Sequence, residues 1–185
     1  MGSDTQVSSY LAGRVVGFLV APTGVEEREL EGPRQAVDEA GGRTVIISTA
    51  PGDVTATHEG RPSATFPVDQ VVGDVPAPVL DALVLPDGLA NSLALRRQQS
   101  VATFVSDVAA AGKPVGAFGH AIWSLLDAGL LPGRDVTSHP TIRRDIESVG
   151  GRWHDHRVVI DGNLITSRHS DDIEAFNVQL IAFLD

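Results

Sequence analysis

Short, mostly apolar runs alternate with helical patterns along this chain, and this alternation restricts the folds that it can adopt. The apolar runs cover residues 14–20, 43–48, 81–85 and 114–118. Nearly continuous apolar runs are typical of parallel strands that are buried on both faces of a sheet. Amphipathic patterns at 26–40 and 96–111 predict helices between them. The chain is therefore predicted to have an α/β fold with a doubly wound, mostly parallel, twisted sheet.

Two segments predict antiparallel pairing at the margins of this sheet. Residues 157–160 and 164–166 flank Asp161-Gly162-Asn163, which is a strong hairpin signal. Residues 50–74 are rich in Pro, Gly, Thr and Asp and show no helical period. They predict a small antiparallel excursion or a long loop.

The connections between these elements give three further expectations. Residues 22–25 and 88–96 are predicted to be loops. Pro33 lies inside the first predicted helix, where it lacks a hydrogen-bond donor and predicts a kink or a break into two helical pieces.

The length and charge of the chain limit what it can be. A chain of 185 residues without repeats or a linker predicts one domain, at 13–185, after a flexible N-terminal tail at 1–12. The formal net charge of −10 argues against nucleic-acid partners and against anionic membrane surfaces. No apolar run approaches the roughly 18 residues of a membrane span. The N-terminus lacks the pattern of a signal peptide, so we expect a cytoplasmic protein.

The stretch KPVGAFGHAIWSLL, at 113–126, predicts a strand that turns sharply into a helix at Gly119-His120. Glycine suits such a turn because it adopts positive φ freely. Ligands of open α/β sheets bind at the carboxyl ends of strands, and enzymes with this elbow usually place a nucleophile at the turn. Gly119 has no side chain with which to attack.

This elbow resembles that of the ThiJ/PfpI superfamily, which has a class I glutamine-amidotransferase-like fold. Further resemblance lies in GVEERELEGPRQAVDEAG, in LDALVLPDG and in the C-terminal third that begins AGLLPGRDVTSHP. It implies a flavodoxin-like three-layer sandwich and a homo-oligomer, either a dimer or an assembly of dimers. Aligned on His120, the cysteine of the family falls on Gly119 and the glycine that follows it falls on Ala121.

The resemblance also implies which residues form a site. It maps the acid beside the nucleophile onto Glu26, and Glu29 matches a second acid of the same motif. Asp87 takes the place of a glycine whose amide resembles an oxyanion donor, and Leu93 falls about where an acid from a second subunit is expected. The chain has no cysteine, so the peptidase, deglycase and glyoxalase activities that the family owes to a thiolate are disfavoured.

We therefore hypothesise that Glu26, Asp87 and His120 are catalytic and transfer protons without a cofactor. Two carboxyls and an imidazole in one pocket can have separated pKa values and so supply an acid and a base. The expected substrate is a small carbonyl-containing metabolite, in specialised metabolism, that undergoes hydration, elimination or isomerisation. Local explanations stay open: Glu26 suits a helix start, Asp87 suits a Pro-Asp-Gly turn, and His120 could bond to backbone.

Other residues around the elbow are candidates for contacts with the substrate. These substrate-binding candidates are Gly88, Gly119, Ala121, Trp123 and His169. Trp123 could instead pack in the core or at a subunit contact. Arg143 and Arg168 could bind an anionic group, although exposed arginines are more often paired or solvated.

The remaining histidines do not predict a metal site. His154 and His156 would face the same side of a strand, and His139 lies in a separate loop. A metal needs three or four convergent ligands, so we expect no metal and no other cofactor. A second hypothesis for the whole protein is a catalytically inert relative that binds a small molecule or serves in a stress response.

Overall fold

A central seven-stranded sheet organises residues 9–185, which are the residues that the computed structural model describes. In chain order the strands are β1 (Val15–Val20), β2 (Thr23–Glu26), β3 (Arg43–Ser48), β4 (Asp53–His58), β5 (Arg61–Pro67), β6 (Gln70–Val71), β7 (Ala82–Leu85), β8 (Val115–Phe118), β9 (Asp135–Val136), β10 (Arg152–Trp153), β11 (Val158–Asp161) and β12 (Leu164–Ser167). The α-helices are α1 (Glu27–Glu39), α2 (Leu89–Arg96), α3 (Gln99–Ala110), α4 (Ile122–Asp127), α5 (Arg143–Ser148) and α6 (Ile173–Leu184).

The strand order of the central sheet is β11-β12-β8-β7-β1-β3-β6. The pairs from β12 to β6 are parallel, and the edge hairpin β11–β12 is antiparallel. This arrangement confirms the predicted α/β fold with its mostly parallel sheet and the hairpin at 158–167.

Helices cover both faces of the sheet, as a doubly wound fold requires. Alternate residues of one strand point to opposite faces, so Phe18 packs with Phe176 of α6 while Leu19 packs with Val105 of α3. The helices α1 and α6 lie on the first face, and α3 and α4 lie on the second. The result is the expected three-layer sandwich.

Two segments predicted as loops are regular elements. Residues 23–26 form β2, which pairs in parallel with β4, and β4 pairs with β5 as the predicted antiparallel excursion. Residues 89–96 form α2. The prediction of loops was wrong here because β2 and α2 are too short for a clear sequence period, and tertiary contacts decide their conformation.

Pro33 does not break α1, which runs unbroken from Glu27 to Glu39. Pro33 is buried together with Leu30 and Val37, and this apolar stripe faces the sheet. Burial of the stripe outweighs the hydrogen bond that a proline inside a helix removes. The predicted break is therefore wrong.

The packed domain starts before the predicted boundary at residue 13. Leu11 is fully buried, and its backbone N–H donates to the Ala40 carbonyl at 2.9 Å. Residues 1–8 of the predicted tail lie outside the described part of the chain. Among the described helices, none combines the length and the apolar character needed to cross a bilayer.

Close packing of β8 against α6 generates a test of this fold. A Cβ on Gly116 would overlap the ring of Phe176, which itself packs on Phe118 with ring centroids 4.3 Å apart. We expect Gly116→Ala to lower the free energy of unfolding by about 1–3 kcal/mol in urea denaturation, because the core must shift to accept a methyl group. Gly73→Ala is the control, since a Cβ there meets open space. Equal stability of the two variants would contradict the packing described.

Candidate functional site

Asp87 and His120 meet at the carboxyl edge of the sheet. Asp87 follows β7 and His120 follows β8, and these strands are parallel neighbours. Their carboxyl ends therefore lie at the same edge, where ligands of such sheets bind. His120 Nδ1 lies 3.0 Å from Asp87 Oδ2, and both side chains are largely buried.

The Asp87 carboxylate occupies the space into which a side chain at residue 119 would project. Gly119 has a φ of +53°, and a Cβ built on it would overlap Asp87 Oδ2. The same Cβ would approach the Arg168 carbonyl oxygen to 3.2 Å. The missing side chain at Gly119 and the carboxylate at Asp87 are thus sterically linked.

Asp87 is fixed on several sides. The Ser92 hydroxyl donates to Asp87 Oδ1 at 3.1 Å, and the Asp87 backbone N–H donates to Glu29 Oε2 at 2.8 Å. Gly88, the next residue, needs its glycine because φ is +114° and a Cβ would overlap the Gly24 carbonyl oxygen. Gly88 was predicted to contact the substrate, and in the structure it shapes the backbone of the turn.

Glu29 is the buried carboxyl of this site. It is 2% exposed, and the Ser170 hydroxyl donates to its Oε1 at 2.9 Å. Burial and, after it, the nearby charge of Asp87 raise the pKa of Glu29, and hydrogen bonds from Asp87 N–H and Ser170 oppose the rise; the resulting pKa is about 8. Glu29 is consequently protonated at neutral pH, beside Asp87.

Glu26 is placed differently from the sequence-based hypothesis. Its backbone N–H donates to the Asp87 carbonyl at 2.9 Å. Its carboxyl, however, faces His58, with Oε1 3.7 Å from Nδ1. The structure thus brings together Asp87 and His120, and it places Glu29 against the Asp87 backbone. The sequence had marked Glu29 only as a matching second acid.

On its other side, His120 contacts two residues that sequence reasoning did not assign to the site. His120 Nε2 lies 3.1 Å from Thr141 Oγ1, and His139 Nδ1 lies 2.7 Å from the same oxygen. The rings of His120 and His139 stack with centroids 4.3 Å apart. Burial lowers the pKa of His139, and a charge on His120 lowers it further. The sequence His139-Pro-Thr141 starts a helical turn, but nothing in that local pattern signals the contact with His120.

Trp123 packs beside His120, with ring centroids 5.4 Å apart. Its indole N–H donates to Asp145 Oδ2 at 2.7 Å, and the Arg96 guanidinium lies 4.9 Å from its ring centroid. Arg96 is in turn held by two hydrogen bonds to Asp127, at 2.9 and 3.0 Å. Trp123 therefore packs beside the His120 imidazole and is itself held by Asp145 and Arg96.

The other predicted contacts are dispersed. Ala121 is fully buried in the core. His169 is exposed, with Nδ1 3.9 Å from Asp171 Oδ2, and it is close enough to His139 for its charge to lower the pKa of that imidazole. Arg168 is bound to Asp172 and Asp155.

Arg143 is bound to Glu147. His154 contacts Asp135 at 2.7 Å, away from His139. Within residues 9–185 no group of three or more potential ligands is arranged to hold a metal ion.

A cavity of about 420 Å³ borders the turn and is lined by Glu26, Gly88, Leu89 and Leu93 among others.

Comparison with known proteins identifies what this chain resembles. The family model described as DJ-1/PfpI family matches residues 14–183. A deglycase of Thermococcus kodakarensis is 34% identical over 167 residues, covering 90% of this chain and 98% of that protein. Protein/nucleic acid deglycase 2 of Escherichia coli is 32% identical over 160 residues, with 86% and 92% covered. A ThiJ/PfpI domain protein from Brachyspira murdochii has the same fold, with a TM-score of 0.85, 17% identity, and 94% and 96% covered.

The raised pKa of Glu29 predicts how stability changes with pH. Its pKa is about 8 in the folded protein against 4.5 ordinarily, so the folded state holds an extra proton between these values. The wild type therefore loses stability as pH rises through this window, by about 5 kcal/mol at most. Glu29→Gln, which cannot ionise, should not show this loss.

We expect the stability of Glu29→Gln relative to the wild type to increase between about pH 5 and about pH 8 in urea unfolding. Glu31→Gln, an exposed change on the same helix, is the control and should track the wild type. A constant difference between Glu29→Gln and the wild type across this range would contradict the raised pKa.

The steric link between residues 87 and 119 predicts strong non-additivity. Gly119→Cys alone should destabilise the protein, because its Cβ overlaps the Asp87 carboxylate. Asp87→Gly combined with Gly119→Cys should restore part of that stability, with a coupling of about 1–3 kcal/mol in a double-mutant cycle of unfolding free energies. Additive effects would show that the two side chains do not compete for one space.

Proposed function

The chain belongs to the DJ-1/PfpI family, and we propose that it is a cofactor-independent acid–base enzyme of that family which works without a thiol. Its substrate class is a small carbonyl-containing metabolite. The reaction class is hydration, elimination or isomerisation, and no covalent intermediate forms on the protein.

One observation carries the proposal: a carboxylate, that of Asp87, fills the place of a side chain at residue 119. At that place the family resemblance predicts the cysteine. A carboxylate held by an imidazole is a base rather than a strong nucleophile. Relatives named deglycases suggest carbonyl compounds as substrates, but this chain has no cysteine for thiolate chemistry.

The distribution of protons supports a base at Asp87. Glu29 is protonated at neutral pH, so the buried carboxyl adds no negative charge that would repel an anion at Asp87. His120 and Ser92 stabilise that anion through contacts of 3.0 and 3.1 Å. A carboxyl that keeps its proton because it is buried, as Glu29 does, is a feature that acid–base enzymes use.

In the proposed reaction, Asp87 takes a proton from the carbon next to the substrate carbonyl, or from a water that adds to it. The electron pair of the broken C–H bond moves onto the carbonyl oxygen as an enolate. Return of the proton from Asp87 to another atom completes an isomerisation. In an elimination, the enolate electrons form a C=C bond as the neighbouring hydroxyl departs, and that hydroxyl takes the proton from Asp87 and leaves as water. His120 stabilises the protonation change at Asp87 throughout.

A second candidate function is binding without catalysis. Asp87 is 8% exposed, and the neighbouring cavity presents apolar Leu89 and Leu93 next to Glu26. A small ligand could occupy that cavity without reaching the Asp87 carboxylate. Saturable binding without product formation distinguishes this candidate from the enzyme.

The enzymatic proposal is tested by hydrogen exchange in D₂O. We expect the wild type to incorporate deuterium next to the carbonyl of at least one of dihydroxyacetone, glycolaldehyde, methylglyoxal and pyruvate, as followed by proton NMR. Asp87→Asn and His120→Gln should each slow this exchange by about 100-fold or more, because the base or its support is lost.

Asp107→Asn, an exposed change on α3, is the matched control and should retain the wild-type rate. Intact-mass spectrometry should show no adduct on the protein. Wild-type exchange at the buffer rate with all four compounds, together with saturable binding by calorimetry, would favour the binding function instead.

A further inference from the structure

We propose that Thr141 and His139 extend the Asp87–His120 pair into a proton relay that ends at the protein surface. The catalytic use of this relay rests on the proposed acid–base function. The relay itself is a property of the hydrogen-bonded side chains and can be tested without a substrate.

The four side chains form a continuous series of short contacts. Asp87 Oδ2 lies 3.0 Å from His120 Nδ1, and His120 Nε2 lies 3.1 Å from Thr141 Oγ1. Thr141 Oγ1 lies 2.7 Å from His139 Nδ1. Each contact is within the range of a real hydrogen bond. The series leads from a buried carboxylate to side chains that meet solvent: Asp87 is buried, His120 and His139 are partly exposed, and Thr141 is exposed.

The hydrogen-bond directions follow from the partners of His139. Its Nδ1 accepts the backbone N–H of Thr141 at 3.4 Å, so this nitrogen carries the lone pair. The Thr141 hydroxyl must then donate to His139, and its oxygen accepts from His120 Nε2. His120 Nε2 therefore bears a hydrogen, and a single proton lies between His120 Nδ1 and Asp87 Oδ2.

This arrangement predicts what happens when Asp87 gains a proton from a substrate. His120 is then a cation without an anionic partner, which makes its Nε2 hydrogen more acidic. That proton passes to Thr141 Oγ1 while the Thr141 hydroxyl proton passes to His139 Nδ1. His139, now carrying two N–H groups, loses one proton to water, and the charges on both sides of the transfer balance.

Packing around the two imidazoles holds the side chains of the relay in place. The imidazoles of His120 and His139 are stacked at 4.3 Å with 22° between their planes. Trp123 packs on His120 and is anchored by its hydrogen bond to Asp145. The pKa of His139 is lowered by burial, so this imidazole is neutral at pH 7 and free to receive a proton.

The test compares Thr141→Val, which keeps the shape of the side chain, with Thr141→Ser, which keeps the hydroxyl. The readout is the exchange of the His120 ring N–H protons with water, measured by NMR on protein with ¹⁵N-labelled histidine at low temperature. His120→Gln identifies the resonances. We expect Thr141→Val to slow the exchange by about tenfold or more, because the hydroxyl that passes the proton is absent.

Thr141→Ser should restore exchange to near the wild-type rate. His139→Phe keeps a stacked ring but removes the accepting nitrogen, and it should slow the exchange as Thr141→Val does. Unchanged or faster exchange in Thr141→Val would overturn the relay. Unchanged exchange would show that the Thr141 hydroxyl is not needed, and faster exchange would show that Thr141 only shields His120 from water. This NMR experiment uses no substrate, so its result does not depend on whether the protein incorporates deuterium into carbonyl compounds. The relay and the acid–base activity can therefore fail separately.

Discussion

The carboxylate of Asp87 fills the space next to the Gly119 backbone, and much of the site is arranged around that contact. A residue with a Cβ at position 119 would collide with Asp87 and would also need the positive φ of this turn. The two positions must therefore change together. With glycine at the turn, the carboxylate of the preceding strand reaches His120 at 3.0 Å. This corner of the fold thus keeps its imidazole and carries a carboxylate at the place where the family resemblance predicts a cysteine.

Burying this carboxylate beside a second one has an electrostatic cost that the site reduces by protonation. Two ionised carboxyls in a poorly solvated region repel each other strongly. Glu29, the more deeply buried of the two, holds a proton at neutral pH, and the Asp87 carboxylate interacts with His120 and Ser92. The same difference in burial that limits the repulsion also separates the roles of the two carboxyls.

The sequence predicted the fold well because the fold depends on patterns within single segments. Apolar runs fixed the parallel strands, and Asp161-Gly162-Asn163 fixed the edge hairpin. The proximity of Asp87 and His120 was implied only by the family resemblance; the structure shows that these residues follow neighbouring parallel strands. The conformations of β2 and α2 did not follow, because short elements depend on contacts with distant segments.

The choice between Glu26 and Glu29 could not be made from the sequence either. Both acids belong to one motif, but Glu26 ends β2 while Glu29 lies in the first turn of α1. A change from strand to helix between them turns one carboxyl toward His58 and the other toward Asp87. Thr141 and His139 were missed for a related reason: their contact with His120 joins segments about 20 residues apart, and no periodicity reports such a contact.

The two sides of Asp87 differ in their access to water, and this difference matters for any proton chemistry. On one side Glu29 is enclosed, and its contact with Ser170 leads toward a groove of about 890 Å³ between α1 and α6. On the other side His120, Thr141 and His139 lead to the surface within three hydrogen bonds. The Glu29 carboxyl is thus shielded from water, whereas His120 has a short hydrogen-bonded path to the exposed Thr141. The proposed base, which forms no covalent intermediate, would need such a path in order to return to its starting protonation state after each reaction.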